Sequence, residues 1–384
     1  MPAGFEQLSV LRITRAMQAL QDVRDIPQEL MFLKDTALTP AMDGEIMARF
    51  IGRVQIADLV TDDAKAGVYS LGKFSTESNQ PPNIKVGMSI TQAEINQYFA
   101  AGMNDDAGMT DMFITKRIDA LLLGVRQRME TLLVGMKLDT FSYNKMGVIV
   151  NNASWGMPAD LKVTTGTPWA ANAATATPID DMLNIKLIGS TRYGVDYDRI
   201  TMSTAAFRKM LATAEFQAKA KIQFRSDLAI QTNFSLYNLE QQKSFASAVL
   251  GMAIRFYDAR YWVPANDGTT SSAPYLPLNK VIIDMTSSDN DPLVQDFANG
   301  ITTESRISSL LPNTGIGLAA GGMIGQFDRA ARGPVAYSTV ESMNPPNITM
   351  WGVARGFPRK FMLQANAVLD VGAITDPVLV TEPF

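Results

Sequence analysis

The side chains that most often do chemistry are missing, because the 384 residues include no Cys and no His. That removes disulfides, thiol nucleophiles, imidazole bases and every Cys/His metal site. General acid-base catalysis relies on His above other side chains, so the chain reads as a non-enzyme. Carboxylates, a glycine-rich run and a few basic residues remain to be weighed. The pairs Asp62-Asp63, Asp105-Asp106 and Asp180-Asp181, and the run Ser287-Ser288-Asp289-Asn290-Asp291, offer oxygens to a hard cation. Adjacent carboxylates diverge on a helix or strand, and no spacing matches a calcium loop, so turns and helix caps are the preferred reading. Gly315-Ile316-Gly317-Leu318-Ala319-Ala320 matches the spacing of a dinucleotide fingerprint. That fingerprint needs a strand immediately before it in an N-terminal βαβ unit. Here Leu310-Leu311-Pro312-Asn313-Thr314 precedes it, which favours a flexible loop. Arg355, Arg359 and Lys360 stand near Trp351 and Phe357, a combination that stacks on nucleic acid elsewhere. Three charges amid proline and apolar residues favour a subunit contact instead. No catalytic, cofactor-binding or metal residue is assigned, and no cofactor is expected.

With 46% hydrophobic residues the chain can bury one or two substantial cores. Lys plus Arg (34) against Asp plus Glu (38) leave a net charge of -4, so no overall basic field draws in nucleic acid. The N-terminus lacks the apolar stretch of a signal peptide, and no window approaches the roughly 20 apolar residues of a membrane span. A soluble protein without a membrane partner is expected.

Several elements must position whatever the chain does. Leu8, Leu11, Met17 and Leu20 suit a short amphipathic helix within 5–20, ended by Asp25-Ile26-Pro27. From 50 to 90, extended segments (53–59, 67–74 and 84–90) separated by polar turns suggest a long hairpin. Between Met109 and Met136, Ile114, Ile118, Leu121, Val125, Met129, Leu132 and Met136 recur every three or four residues without a proline. This predicts a helix of roughly 40 Å, with Lys116, Arg117, Arg126, Arg128 and Glu130 off its apolar stripe. A strand at 147–150 follows. Thr164 to Pro178 is rich in Thr, Ala, Gly and Pro and marks a domain crossing. Beyond it come a helix with Met182, Ile185 and Ile188, capped by Thr177 or Asp180, a strand at 199–202, and a helix from Ser203 to about Lys221. An extended stretch at 249–263, a turn at Asn266-Asp267-Gly268, a strand at 280–285 and a mostly extended segment from 348 to 369 complete an α+β chain.

This order of parts resembles the major head protein of phage lambda and its relatives. Thr167-Pro168-Trp169, Pro178-Ile179-Asp180-Asp181, Asp198-Arg199-Ile200-Thr201-Met202-Ser203 and Phe207-Arg208-Lys209-Met210 look like the family's first strand-to-helix turn and its approach. Phe256 to Tyr261 and Tyr275-Leu276-Pro277-Leu278-Asn279-Lys280-Val281 resemble its paired strands and its "LP.N" segment. Asn344-Pro345-Pro346-Asn347-Ile348-Thr349 and Phe357 to Ala367 resemble its closing strands.

The resemblance implies an HK97-like capsid fold: an N-terminal arm (1–49), an extended loop with flanking strands (50–100), a peripheral domain (101–175) with a spine helix at about 109–136, an axial domain (176–332), and closing strands (333–384) that return to the peripheral and then the axial domain. It implies a subunit that self-assembles into hexamers and pentamers of an icosahedral phage shell around double-stranded DNA. The expected partners are further copies, portal, scaffolding and decoration proteins, and nonspecifically contacted DNA. The expected location is the virion, and the host cytoplasm during assembly. The alternatives are an encapsulin-like compartment shell and a dinucleotide-binding oxidoreductase using Gly315 and Gly317. Some proteins of this fold crosslink Lys to Asn; Lys65, Lys73 and Lys85 lie in the hairpin region, but none is assigned that role.

Overall fold

A computed structural model describes residues 27–40, 46–51, 73–78, 83–90, 107–145, 148–224, 238–264, 269–288, 291–292, 294–300, 335–343, 346–376 and 381–383. The chain opens with a short helix α1 (Met31–Asp35) and strand β1 (Leu38–Pro40), then β2 (Ile46–Ile51), β3 (Lys73–Ser78) and β4 (Asn83–Ile90). A long helix α2 (Ala107–Leu138) leads to the hairpin β5 (Phe141–Lys145) and β6 (Val148–Ala153), and then to β7 (Lys162–Thr164). Next come α3 (Pro178–Ile188), β8 (Arg199–Met202), α4 (Thr204–Leu211), α5 (Ala214–Phe224) and α6 (Leu239–Leu250). The strands β9 (Ala253–Phe256), β10 (Arg260–Pro264), β11 (Thr269–Pro274), β12 (Lys280–Asp284) and β13 (Gln295–Gly300) follow. Last are β14 (Val335–Met343), β15 (Pro346–Lys360), β16 (Asn366–Asp370) and β17 (Thr381–Pro383).

Two five-stranded sheets dominate. One is built on β15, which pairs antiparallel with β14, β4 and β13, while β1 adds to β13 in parallel. The other runs β7-β16-β12-β8-β9, antiparallel at its centre and parallel at both edges. In β8 every residue is buried, and in β12 and β16 four of five are. That pattern marks strands covered on both faces, so their apolar runs are continuous rather than alternating.

Helix α2 lies against the β15 sheet. Ile118, Leu121, Val125 and Met129 are 1% exposed or less, so the stripe read from the sequence is the buried face. Gly352 of β15 permits the contact, since a Cβ there would come within 3.0 Å of the Leu121 carbonyl oxygen. The helix ends at Asp139, which adopts a left-handed φ of 54° where glycine is usual. Asp139 N–H donates to Met136 O (3.1 Å) and Thr140 N–H to Gly135 O (3.0 Å), satisfying carbonyls of the last turn.

Several elements differ from expectation. The hairpin pairs β2 with β3 in a register that sets Ile46 against Ser78 and Ile51 against Lys73, so its first strand begins inside the stretch assigned to the arm. The helix expected from Ser203 to Lys221 is two helices. Thr213 breaks it: its hydroxyl donates to Met210 O (2.7 Å) and accepts from Phe216 N (3.4 Å), ending one helix and starting the next. Val249 and Leu250 close α6 instead of opening a strand. That helix is defined by an Asn238/Gln241 capping box and by Gly251 at φ 62°, signals the hydrophobic pattern did not reveal. The expected helix at 5–20, the loop tip and the Asn266-Asp267-Gly268 turn lie outside the described residues.

Candidate functional site

The chemically notable side chains gather where the last turns of α2 meet both sheets. Glu130 is fully buried although it sits off the apolar stripe, because α1 and Tyr257 cover that face as well. Its carboxylate accepts from Phe32 N (3.0 Å), Leu33 N (2.7 Å) and the Tyr257 hydroxyl. A helix N-terminus 97 or 98 residues upstream is thus capped from the spine. Burial holds the Glu130 carboxyl above the usual carboxylate range, with the Tyr257 hydroxyl and the two N–H donors pulling the other way. Burial likewise raises the Tyr257 hydroxyl, helped by the adjacent Glu130.

About two turns further along the helix, Lys137 pairs with Asp284 of β12 (3.2 Å), and Arg199 of β8 grips the same carboxylate with two bonds of 2.7 Å. These cations hold Asp284 below the usual carboxylate range despite its burial. Beside them, Lys360 Nζ donates to Asn366 Oδ1 (2.6 Å), and Asn366 Nδ2 donates to Lys137 O (2.6 Å). Asp139 fixes the following turn by accepting from Trp155 N (2.6 Å), Met157 N (3.2 Å) and Ser154 Oγ (2.8 Å), and it pairs with Lys162. Its left-handed backbone is therefore held by its own carboxylate. An adjoining open cavity of about 380 Å³ is lined by Lys162, Lys280, Asp139 and Asp370, but each lysine is already paired with one of these aspartates. The arrangement positions elements; it presents no aligned nucleophile and base.

Of the three basic residues weighed in the sequence, Arg359 and Lys360 form no surface, and the Arg355 side chain lies outside the described residues. Arg359 is 5% exposed and bound through two bonds to Asp296 (2.8 and 2.5 Å), and Lys360 is 0% exposed. Neither can touch DNA or another subunit, because β13 and β16 enclose them within this chain. Asp180 and Asp181 stand in the first turn of α3 but face different partners, Lys219 and the Trp169 indole N–H (3.2 Å). Neither they nor Thr177 caps that helix. Glu215 of α5 does, accepting from Ile179 N (2.9 Å) and Asp180 N (3.3 Å). Lys85 is exposed on β4. Asp62-Asp63, Lys65, Asp105-Asp106, Asp289-Asn290 and Gly315 to Gly322 lie outside the described residues. Among the described residues, no three His, Cys, Asp or Glu side chains group as a metal site would require.

The motifs quoted for the head-protein resemblance sit at these junctions. Ser203 caps α4 by accepting from Ala206 N (3.1 Å), and Asp198 accepts from Thr286 N (2.6 Å). Asn279 of the "LP.N" segment donates to Asp370 Oδ1 (3.0 Å) and accepts from Val371 N (2.9 Å). The model of the family described as phage major capsid protein E matches residues 9–288. The chain belongs to that family. Its members are phage major capsid proteins, so this chain is a shell subunit. No curated protein matches it. Among solved structures, the capsid protein of a prophage from E. coli CFT073 is 12% identical with a TM-score of 0.56, over 94% of this chain and 99% of that one. The fold is accordingly the HK97-like capsid fold. A phage-related protein from Bordetella bronchiseptica RB50 aligns at 12% identity and TM-score 0.45, over 93% and 96% of the two chains. The SrpI encapsulin of Synechococcus elongatus PCC 7942 aligns at 11% and 0.43, over 94% and 96%.

Proposed function

We propose that this capsid protein assembles into hexamers and pentamers that enclose double-stranded DNA, and that it acts without catalysis. The observation that carries this reading is the β2–β3 hairpin. Among the described residues it pairs only with itself, and an isolated two-stranded hairpin is marginal in water; in this reading neighbouring subunits cover it. The arm then ends before β2, with α1 and β1 held against α2 and the β15 sheet, and residues 46–100 carry the extended loop and its flanking strands. The β15 sheet with α2 forms a peripheral domain, and the β12 sheet with α3 to α6 forms an axial domain near the capsomer centre. Portal, scaffolding and decoration proteins are the proposed further partners. The proposed sites of action are the host cytoplasm during assembly and then the virion.

Electron microscopy of the expressed chain tests this directly. Regular shells, tubes or capsomers are expected, and particles purified from the source should hold nuclease-protected DNA; cargo protein without DNA would contradict the phage-head reading. Replacing 52–72 by Asn-Gly joins Ile51 to Lys73 in the observed register with a two-residue turn. The variant should remain a folded subunit yet form no particles. Normal particles from it would remove the loop from the assembly contacts.

A further inference from the structure

The chain leaves the β15 sheet at Lys360 and enters the β12 sheet at Asn366, and these two residues close the base of the crossing through their 2.6 Å hydrogen bond. Both are 0% exposed. Lys137 faces this pair from α2, Asp139 from the turn after it, Lys162 from β7, Asp284 from β12, and Arg199 from β8 through its grip on Asp284. On β15 itself, the adjacent Arg359 is committed to Asp296. Asp284 already answers Lys137 and Arg199, and Asp139 answers Lys162. A proton on Lys360 therefore has no carboxylate of its own; among the described residues its hydrogen-bond partner is a neutral carboxamide.

We propose that Lys360 is a proton-operated latch on the crossing between the two sheets: uncharged it lets the joint close, and on taking up a proton it opens residues 361–365 to solvent.

Burial, reinforced by Lys137, pushes the Lys360 ammonium down to about 7 from an ordinary value of 10.5; Lys162 acts in the same direction, and Asp139 and Asp284 act against it. Asp139 and Asp284 are both held below the usual carboxylate range, so neither titrates in this interval. An opened joint, with its lysine in water, binds more protons than the closed one between about 7 and 10.5. Closure therefore strengthens as pH rises through that window and is weakest at and below its lower end. Such a latch would couple the relative placement of the two sheets to pH in the folded subunit, whether or not shells form.

Amide hydrogen exchange of the full chain, corrected for the intrinsic pH dependence of exchange, tests the latch. Protection in peptides spanning 361–370 should rise with pH by up to about tenfold per unit above pH 7, as one-proton linkage requires. Lys360→Met should be protected and flat across the same range. Lys360→Arg, charged throughout, should be weakly protected and flat. A pH-independent wild type overturns the proposal, as does a Met variant with the wild-type slope. Should the Met variant fail to fold, the wild type and Lys360→Arg decide, since equal slopes in those two also overturn it. Microscopy of particles tests assembly separately, so failure of the latch leaves the shell reading standing.

Discussion

Glu130 and Lys360 are both buried ionisable groups beside the spine helix, yet their surroundings differ in kind. Glu130 meets three donors, two of them backbone N–H groups held in place by α1. Lys360 meets one carboxamide oxygen in a cluster whose carboxylates are already taken. Fixed dipoles can hold a buried carboxyl group without a countercharge, whereas an added cation in a cation-rich joint is expelled as a proton. The two groups consequently respond to pH with opposite sign. Glu130 has a raised folded value, so its contribution is fully present below the ordinary carboxylate range and is lost as pH rises through that raised value. The Lys360 contribution grows with pH above about 7.

The strongest way to break this comparison is to remove the carboxylate on which the joint depends. Asp284→Ala strands Lys137 and Arg199 in the core and should cost about 3–5 kcal/mol, seen as a fall in the denaturant midpoint. A loss below about 1 kcal/mol would mean that the cations reach water and that the joint is not closed. Next in size, Leu121→Ala leaves a cavity on the buried face of the helix that carries both clusters, and roughly 2–5 kcal/mol should be lost. Here the pH profile should keep its shape while stability falls throughout. Glu130→Gln is milder, about 1–3 kcal/mol, because the amide keeps one acceptor oxygen but turns a donor toward the α1 N–H groups. It should also abolish the fall in thermal midpoint as pH rises above the carboxylate range. A variant that retains that fall would place its origin at another group.

The helix carrying both clusters was legible in the sequence because one apolar stripe repeats over many turns; the clusters themselves were not. Glu130 reads as surface, since nothing local shows that α1 and Tyr257 will cover a second face of the helix. Arg359 and Lys360 read as a basic patch for a related reason: Asp296 and Asn366, their partners, come from separate strands and carry no mark of pairing. The Glu215 cap on α3 is another tertiary substitution, here for the local Thr177 and Asp180 that the sequence offers. Of the local caps, Ser203 stands where the sequence starts a helix, whereas the Asn238 box and the helix it opens escaped the hydrophobic pattern, although donor and acceptor lie three residues apart in both. The family was legible because its turns combine local signals in a fixed order, and "LP.N" marks a place where Asn279 ties β12 to the end of β16.

The smallest expected effect concerns Arg128, which lies on the same helix but belongs to neither cluster. The sequence places it on an exposed face, whereas the structure leaves it partly buried with its guanidinium carbon 4.8 Å from the centre of the Tyr143 ring on β5. A cation over an aromatic face at such a site contributes about 0.5–1 kcal/mol. Arg128→Ala should cost about that much in chemical denaturation, well below any change in the two clusters. Arg128→Lys should lose part of it, because an ammonium lacks the flat face that stacks on the ring. Tyr143→Leu keeps an apolar side chain and removes the ring, so the double-mutant cycle between the two positions isolates their coupling. Coupling near zero would return Arg128 to the surface, as the sequence had it. Coupling well above 1 kcal/mol would make this contact a third anchor of the spine, and the contrast between Glu130 and Lys360 would then have to include it.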